Sequence, residues 1–430
     1  MARKSIRIAV AVCASGVVGY ALGCSIASIS STATPPVVST GPASTTPIQH
    51  IVVIMQENRT FDNLFNGFPG ADTVQTGMYK GVTVPLVPTP LGDGADLGHS
   101  HPGWWREWDG GKMDDFSDGA TMLAYSYVKP TEVVPYWTLA KNFTLGDRMF
   151  QSNTGPSFAA HQYLIAGQSA GASENPTGNV WGCGAAPDSR TLLVGPNGID
   201  LPGVFPCFDY QTMGDLLDAK GVSWKYYAPS SASDAFFILS AYQAIRHIFF
   251  GPDWNNNVIS PETKVLTDIS SGQLAQVTWV VPSFNNSDHP GAPAQGPDWV
   301  ASIVNAIGAS KYWNSTAIFI AWDDWGGWYD HVPPPQIDNM GLGFRVPVIV
   351  VSPYAKHGYV SHVTHESSGF LTFTEENWGL SSLGTRDTLA DDFSDCFDFT
   401  QTPAPYVQIQ TLHTPAFFLS QKASGPPDDD

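Results

Sequence analysis

The chain has 430 residues, of which 43% are hydrophobic and 14% are charged, enough to form a sizeable buried core. Its 20 basic and 39 acidic residues give a formal net charge of −19. This charge, together with the lack of a basic run, excludes nucleic acid as an expected partner, because nucleic acids carry negative phosphates. An aromatic content of 12% argues against a disordered chain.

The N-terminus has the pattern of a secretory signal. Three basic residues within the first seven positions precede an apolar stretch that extends to about Ala27, so residues 1–27 are predicted to be a signal peptide. A membrane-spanning anchor is the alternative for this stretch. Cys24 ends a sequence similar to a bacterial lipoprotein cleavage box, which makes lipidation a second route to the membrane surface. The expected location is extracytoplasmic: periplasmic, secreted or lipid-anchored.

The rest of the chain divides by composition. Residues 28–47 are rich in Ser, Thr and Pro and predict a flexible linker. Residues 48–420 are expected to form a single catalytic domain with a loop-rich insertion near 168–210, and residues 421–430 a disordered tail.

Export would permit a disulfide bond among the cysteines that lie outside the leader. Cys183 and Cys207 lie in the loop-rich insertion, where a disulfide between them would staple a Gly/Pro-rich segment. Cys396 is then left over. The three cysteines have no CxxC spacing, so the sequence does not predict that they bind a metal together.

Four short apolar runs rich in β-branched residues predict buried strands: Ile51–Met55, Val277–Val281, Thr316–Ala321 and Val346–Val351. They lack the alternation of a half-exposed strand, and helical patterns such as Trp299–Ile307 lie between them. This combination predicts an α/β protein with a central, largely parallel sheet flanked by helices.

Polar residues follow each predicted strand. In an open α/β sheet, ligands bind beyond the carboxyl ends of the strands, so these residues are expected to converge on one site. The residues that follow the four strands, in chain order, are Glu57 and Asn58, Asp288 and His289, Asp323 and Asp324, and then Lys356 and His357 followed by His362 and His365.

Four of these residues offer hard oxygen ligands: Glu57, Asn58, Asp323 and Asp324. Such ligands suit Mg²⁺, Ca²⁺ or Mn²⁺ and are tolerable for Zn²⁺. Adjacent carboxylates repel each other unless a cation lies nearby. An exposed acidic turn is the alternative, but the apolar strand before the Asp pair and the Trp and Gly residues after it argue against that reading.

A candidate nucleophile begins a predicted helix. Ser157 precedes a helical pattern that opens near Pro156 and closes at Gly167. In the first turn the helix dipole favours an anion such as phosphate and would stabilise a serine alkoxide. The alternative role for Ser157 is an ordinary helix N-cap.

A second serine matches a different motif. Ser169 stands in Gly-Gln-Ser-Ala-Gly, the GxSxG pattern of serine hydrolases. That motif requires a strand before the serine and a helix after it, whereas here a predicted helix precedes it and poor helix formers follow. A serine esterase using Ser169 therefore stays as the alternative enzyme.

The motifs taken together resemble a known family, the bacterial phosphoesterases that include phosphatidylcholine-type phospholipases C and acid phosphatases. The resemblance implies an alkaline-phosphatase/sulfatase-like α/β sandwich and covers residues from about 48 to 380. Thr60 is a mild departure, because the family usually has Ser at this position. The motifs that carry the resemblance are ENRTFD at 57–62, His99-Ser100, GGKMD at 110–114, TGPS at 154–157, DHP at 288–290, DDWGGWYDHV at 323–332, and the segment with His362 and His365.

The resemblance also implies roles. It makes Glu57, Asn58, Asp323 and Asp324 the metal ligands and Ser157 the nucleophile. His99 and His289 would contact phosphate or transfer protons, and His365 is implied as a third catalytic histidine.

The implied reaction is hydrolysis of a phosphate ester, phospholipid or phosphomonoester, through a phosphoseryl intermediate with a divalent metal ion as cofactor. A histidine would protonate the leaving alkoxide. His331 is expected to support the site or to pack, and His101 and His161 to be structural. A non-catalytic, cation-dependent surface-binding protein is the alternative outside the enzymes.

Overall fold

A computed structural model describes residues 42–92, 96–116, 122–196, 199–229 and 240–422, which belong to one compact unit. The expected signal peptide, Cys24, most of the 28–47 linker and all but the first two residues of the 421–430 tail lie outside the described residues. The end of the expected linker is folded onto the domain, because Thr45 N–H donates to the carbonyl of Asn377 at 2.8 Å. The side chain of Thr46 also donates to Asn377, at 2.5 Å.

Short strands build one large sheet and several small ones. Within the described residues the strands are β1 His50–Gln56, β2 Thr76–Tyr79, β3 Val82–Pro85, β4 Val87–Thr89, β5 Ser126–Val128, β6 Thr144–Gly146, β7 Met149–Phe150, β8 Thr191–Leu193, β9 Leu201–Val204, β10 Trp224–Tyr227, β11 Val258–Ile259, β12 Val277–Val280, β13 Thr316–Trp322, β14 Val348–Val351, β15 Tyr359–Ser361 and β16 His365–Glu366.

The large sheet has the order β11-β10-β12-β1-β13-β14-β6-β15 in the described part of the chain. The strands from β11 to β13 are parallel, with β1 at the centre between β12 and β13. The predicted largely parallel sheet is confirmed. Its central strands are buried on both faces, which explains why their sequences are continuously apolar rather than alternating.

One strand reverses the direction of the chain. β14 is antiparallel to both β13 and β6, so its carboxyl end lies at the edge opposite to those of β1, β12 and β13. The expectation that the segment directly after this strand meets the other clusters is therefore wrong for His357. β15 runs parallel to β6, which returns the chain to the original edge before His362 and His365.

The helices pack around this sheet; for example, α3 contacts β6 and β14, and α9 contacts β13. They are α1 Phe61–Phe65, α2 His101–Trp108, α3 Val134–Asn142, α4 Ser157–Ala166, α5 Met213–Lys220, α6 Arg246–Phe249, α7 Pro252–Asn257, α8 Lys264–Ser270, α9 Gly296–Gly308, α10 Gly369–Trp378 and α11 Pro415–Leu419.

Local sequence explains where two of these helices begin and end. α5 begins with a capping box, in which Thr212 and Asp215 each bond the other's backbone N–H. α4 has Pro156 as its N-cap and ends at Gly167, whose φ of 60° is the left-handed conformation that suits glycine at a helix end. The predicted start and end of the Ser157 helix are confirmed.

The loop-rich insertion contains the short antiparallel pair β8 and β9. Cys183 and Cys207 form a disulfide bond within it, across a sequence separation of 24. Cys396 is a buried free thiol. None of the helices in the described ranges combines the length and the apolar content needed to cross a membrane.

Candidate active site

The predicted oxygen ligands meet at the carboxyl ends of two neighbouring parallel strands. Glu57 and Asn58 follow β1, Asp323 and Asp324 follow β13, and the register pairs Gln56 with Trp322 at the last position of both strands. The backbone N–H of Asn58 donates to Oδ1 of Asp323 at 3.1 Å. All four side chains are at most 1% exposed. The structure therefore brings the four candidate ligands into one buried group.

The two ligand-bearing turns touch backbone to backbone. The N–H of Arg59 donates to the carbonyl of Asp324 at 3.1 Å. A Cβ on Gly326 would lie 2.5 Å from both the Cβ and the backbone oxygen of Asn58, so only glycine fits there. Asn58 itself has a φ of 57°, a left-handed conformation that Asn adopts more readily than most residues. The close approach of the two turns thus depends on the absence of a side chain at Gly326 and on the left-handed conformation of Asn58.

Ser157 is the first residue of α4 and is fully buried. The N-cap position belongs to Pro156, so Ser157 does not cap the helix. Its Oγ instead donates a hydrogen bond to Oδ2 of Asp324 at 3.2 Å. The candidate nucleophile therefore lies beside the candidate metal ligands, at a helix N-terminus that favours anions.

His161 lies on the same face of α4 as Ser157, one turn further along. Its Nε2 is 3.4 Å from Oδ2 of Asp323 and 3.8 Å from Oε1 of Glu57. The expectation that His161 is mainly structural misses this contact. The available sequence signal was its spacing, since residues i and i+4 share a helix face.

His99 contacts the group from the loop before α2. Its Nδ1 lies 2.7 Å from the carbonyl of Leu97 and donates to it, which leaves Nε2 as the acceptor for the amide Nδ2 of Asn58 at 3.2 Å. The same Nε2 lies 3.9 Å from Oδ2 of Asp324. This bond turns the amide oxygen of Asn58 away from His99 and leaves it available to a cation.

His289 is positioned at the strand ends by the hydrogen bonds of the preceding residue, Asp288. Asp288 accepts hydrogen bonds at Oδ2 from Tyr136 at 2.8 Å and from Trp322, the last residue of β13, at 2.9 Å. Burial raises the pKa of Asp288 to about 6, although these bonds oppose the shift. The ring of His289 has its Nε2 3.8 Å from Oδ2 of Asp96, on the loop that leads to His99.

His365 is the predicted catalytic residue that the structure does not bring to this group. It is fully buried, with Nδ1 2.7 Å from Asp391 and Nε2 3.0 Å from the hydroxyl of Ser361. No contact of His365 within the described residues reaches Ser157 or the four candidate ligands. The sequence-based assignment failed because the reversed strand β14, together with β6, stands between β13 and β15.

The group has the properties expected of a hard-cation site. Burial disfavours ionised Asp323, but hydrogen bonding from His161 and the Asn58 N–H outweighs it and holds the pKa of Asp323 at about 2. Within the part of the chain that the structure describes, Oδ1 of Asn58 has no hydrogen-bond partner although it is buried. Three buried carboxylates and an unsatisfied amide oxygen fit a divalent cation such as Mg²⁺, Ca²⁺, Mn²⁺ or Zn²⁺.

A pocket of about 210 Å³ opens beside the nucleophile and is lined by residues of three segments, Gly98–Ser100, Pro156, and Glu174 with Asn175. Asn175 accepts the N–H of Phe158 at 2.9 Å, which ties this wall to the start of α4. Burial raises the pKa of Glu174 to about 7.

Three further residues with sequence-based expectations are Ser169, His101 and His331. Ser169 follows a helix rather than a strand and donates to the carbonyl of Ala172 at 2.9 Å, so the nucleophile-elbow context is missing. Nδ1 of His101 lies 2.8 Å from Oδ1 of Asp200, away from the candidate ligands. His331 bonds Asp62 at 2.6 Å within an ion-pair network that includes Asp330 and the buried Arg345.

The profile of the Phosphoesterase family matches residues 48–381, and the chain belongs to this family. It is 27% identical over 436 residues to phospholipase C B of Mycobacterium tuberculosis, covering 85% of this chain and 80% of that protein. It is 24% identical to the non-hemolytic phospholipase C of Pseudomonas aeruginosa, covering 82% of this chain and 57% of that protein. It is also 24% identical to non-specific phospholipase C4 of Arabidopsis thaliana, covering 75% of this chain and 65% of that protein.

Among solved structures, the fold is similar to that of a protein in the alkaline phosphatase superfamily from Vibrio parahaemolyticus. The TM-score is 0.41 at 11% identity, with coverage of 82% of this chain and 72% of that chain. The family membership identifies the chain as a hydrolase of phosphoric ester bonds.

Proposed function

We propose that this protein is an exported, metal-dependent phosphoesterase that works through a phosphoseryl intermediate on Ser157. The observation that carries the proposal is the hydrogen bond of 3.2 Å from Ser157 Oγ to Asp324, at the N-terminus of α4. A serine in this position lies beside buried carboxylates and at the positive end of the helix dipole. The N-cap position belongs to Pro156, so a capping role does not explain Ser157.

The proposed metal ligands are Glu57, Asn58, Asp323 and Asp324, and the contacts of His161 make it a further candidate. When bound, a divalent cation would act as a Lewis acid toward a phosphoryl oxygen and favour ionisation of the nearby hydroxyl. The low pKa of Asp323 keeps this carboxylate ready for a cation even in mildly acidic solution. Both oxygen and imidazole donors are compatible with Mn²⁺ and Zn²⁺, so the ligand set leaves the identity of the metal open.

In the proposed reaction Ser157 Oγ attacks phosphorus and loses its proton, for which Asp324 Oδ2 is the nearest acceptor identified. The bond from phosphorus to the leaving oxygen breaks, and a histidine on the pocket side supplies a proton to that oxygen. His99 lines the pocket and is the first candidate once its Nε2, the acceptor for Asn58, has taken a proton from solvent, and His289 lies next to it along the Asp96 loop. Water then attacks the phosphoserine and restores the free hydroxyl.

The relatives named phospholipase C support phospholipid as one substrate class, and phosphomonoesters are the other. No nucleic-acid partner is proposed, because the net charge of −19 opposes phosphate backbones. Export is proposed from the basic and apolar leader alone, with any membrane contact made through a lipid substrate or a lipidated Cys24.

The deciding experiment is a substrate panel with metal depletion. Protein stripped by a chelator should lose hydrolysis of both phosphatidylcholine and an aryl phosphate, and one or more of the four divalent metals should restore it. Acid quenching during turnover should leave phosphate on the peptide that contains Ser157. Full activity after confirmed metal depletion, or acyl-ester rather than phosphoester hydrolysis, would contradict the proposal.

A further inference from the structure

A second cluster of metal-type ligands lies apart from the Ser157 group, where β15 meets the segment that follows α10. It consists of His365, Asp395 and Cys396. His365 and Cys396 are fully buried, whereas the side chain of Asp395 is 22% exposed. The proposed phosphoesterase mechanism uses none of the three.

Two of the three spacings between their donor atoms match a tetrahedral ion. His365 Nε2 lies 3.4 Å from Asp395 Oδ1, and Cys396 Sγ lies 3.5 Å from the same oxygen and 4.0 Å from the nitrogen. Metal bonds of about 2.0 Å to nitrogen and oxygen and about 2.3 Å to sulfur, at tetrahedral angles, place nitrogen and oxygen about 3.3 Å apart and sulfur about 3.5 Å from each. Two of the three separations agree within 0.1 Å, and the third, from nitrogen to sulfur, would have to shorten from 4.0 Å by about 0.5 Å when an ion binds.

Two of the three donors are held in place by other groups. Asp391 bonds Nδ1 of His365 at 2.7 Å, the carboxylate–histidine arrangement that orients an imidazole toward a metal. Oδ2 of Asp395 accepts from the hydroxyls of Ser361 at 2.5 Å and Tyr359 at 3.3 Å. These bonds direct Nε2 of His365 and Oδ1 of Asp395 toward the sulfur of Cys396.

The acidic groups around the ring of His365 favour positive charge between these atoms. Neutral His365 that donates from Nδ1 to Asp391 has only a lone pair at Nε2. The proton of Ser361 goes to Asp395 in the shorter contact, so it does not satisfy that lone pair. Two carboxylates, Asp391 and Asp395, also lie within hydrogen-bond or ion-pair distance of the one ring. A cation at Nε2 of His365 would offset the charge of these two carboxylates.

We propose that His365, Asp395 and Cys396 form a second metal site, for a zinc-class cation with a water molecule as its fourth ligand. The partial exposure of Asp395 gives solvent access to that fourth position, and sulfur favours zinc-class ions over Mg²⁺ or Ca²⁺.

Cobalt(II) distinguishes this site from the phosphoesterase centre. The candidate ligands of that centre supply only oxygen and imidazole nitrogen, so it gives no thiolate-to-cobalt charge-transfer band in the near ultraviolet. Cys183 and Cys207 are in a disulfide and give none either. Titration of the chelator-stripped full chain with Co²⁺ should therefore produce this band from Cys396, and an equimolar amount of Zn²⁺ should bleach it.

Three variants test the assignment. Cys396→Ser should lose the band, whereas Cys24→Ser, which removes another thiol, should keep it. Asp391→Asn should weaken cobalt binding by about 10- to 100-fold, because the orienting carboxylate is lost. A wild-type protein without the band at saturating Co²⁺ would overturn the proposal, and a band that survives in Cys396→Ser would also overturn it. The wild-type spectrum decides the question even if a variant does not fold.

Discussion

The hydroxyl of Ser157 lies 3.2 Å from Oδ2 of Asp324, although the two residues are 167 positions apart in the chain. One belongs to the first turn of a helix, and the other to the turn after a central strand. This bond joins the candidate nucleophile directly to the candidate metal ligands. The proposed chemistry therefore depends on both the first turn of α4 and the turn after β13, and each can be changed by mutation without changing the other.

Replacing Ser157 with Ala should abolish turnover while the protein remains folded. Loss of a nucleophile costs on the order of a million-fold in rate, whereas loss of one hydrogen bond to a carboxylate costs about 1–3 kcal/mol of stability. Steady-state hydrolysis of an aryl phosphate and thermal unfolding measure the two effects. Ser169→Ala is the matched control, since its hydroxyl only bonds the Ala172 carbonyl, and it should remain active. An active Ser157→Ala protein would contradict the assignment.

Replacing Asp323 with Asn should remove bound metal without changing side-chain size. The charge of Asp323 is the feature at stake, because its pKa of about 2 shows that the site stabilises the ionised form. Metal content after gel filtration should fall, and activity should fall with it. Asp188→Asn, a change in the loop-rich insertion outside the candidate ligand set, is the control. Normal metal content in Asp323→Asn would remove this residue from the ligand set.

Replacing His161 with Gln should weaken metal binding, because Nε2 lies 3.4 Å from Asp323 and 3.8 Å from Glu57. The expected loss is about 10- to 100-fold in affinity, the range for residues that orient or supplement ligands. Calorimetric titration of stripped protein measures it. His413→Gln changes a histidine paired with Asp298 instead, and its affinity should equal that of wild type. Equal affinities for all three proteins would return His161 to a structural role.

Replacing Gly326 with Ala should push the two ligand turns apart. The new Cβ would lie 2.5 Å from Asn58, at a φ of 56°. Overpacking of this kind typically costs 1–3 kcal/mol, beyond about 1–2 kcal/mol for the left-handed conformation. Gly110→Ala has the same conformational cost at a φ of 65° but meets nothing within 4 Å, so it isolates the steric effect. Equal losses of melting temperature and activity in both variants would show that the close approach is unimportant.

Replacing Glu107 with Gln should change how stability depends on pH. Burial raises the pKa of Glu107 to about 8 from 4.5, despite bonds from Arg106 and Trp325. The native state therefore holds the proton more tightly than the unfolded state, and wild-type stability falls as pH rises from about 4.5 to about 8. Gln has no such dependence, so the melting temperature of the variant should gain on wild type across this window and then level off.

The control for this pH effect is Glu132→Gln. Glu132 also accepts one backbone N–H, from Leu91 at 2.9 Å, but it is exposed. Its melting temperature is measured over the same pH range to show what replacing an exposed carboxyl group does. A difference between Glu107→Gln and wild type that stays constant with pH would mean that burial does not raise the pKa of Glu107.

The central part of the fold was predictable because fully buried strands leave a clear sequence signal. The apolar runs of β1, β12 and β13 gave both the parallel sheet and the edge at which Glu57 and Asp323 meet. The direction of β14 was not predictable, because an equally buried antiparallel strand has the same composition. His365 lies apart from the Ser157 group for a different reason, the strand order, because β14 and β6 stand between β13 and β15.

The histidines show a second limit of the sequence. His161 stands in an entirely buried helix, where no polar face marks the side that meets Asp323. Its contact depends on how α4 rotates against the ends of β1 and β13, which is a tertiary property. The environment of Cys396 was missed for a similar reason, since its neighbour His365 is 31 positions away and no short-range spacing reveals the pair.

The disulfide-linked insertion has a consequence for how this enzyme can diversify. Glu174 and Asn175 form one wall of the pocket, yet they belong to a segment that lies between α4 and α5 and supplies no strand to the large sheet. Changes in this segment can reshape what the pocket admits while the residues at the ends of β1 and β13 stay where they are. Under the proposed mechanism, substrate choice and phosphoryl chemistry would reside in separable parts of the sequence, so a descendant could acquire a new substrate without rebuilding its reactive centre.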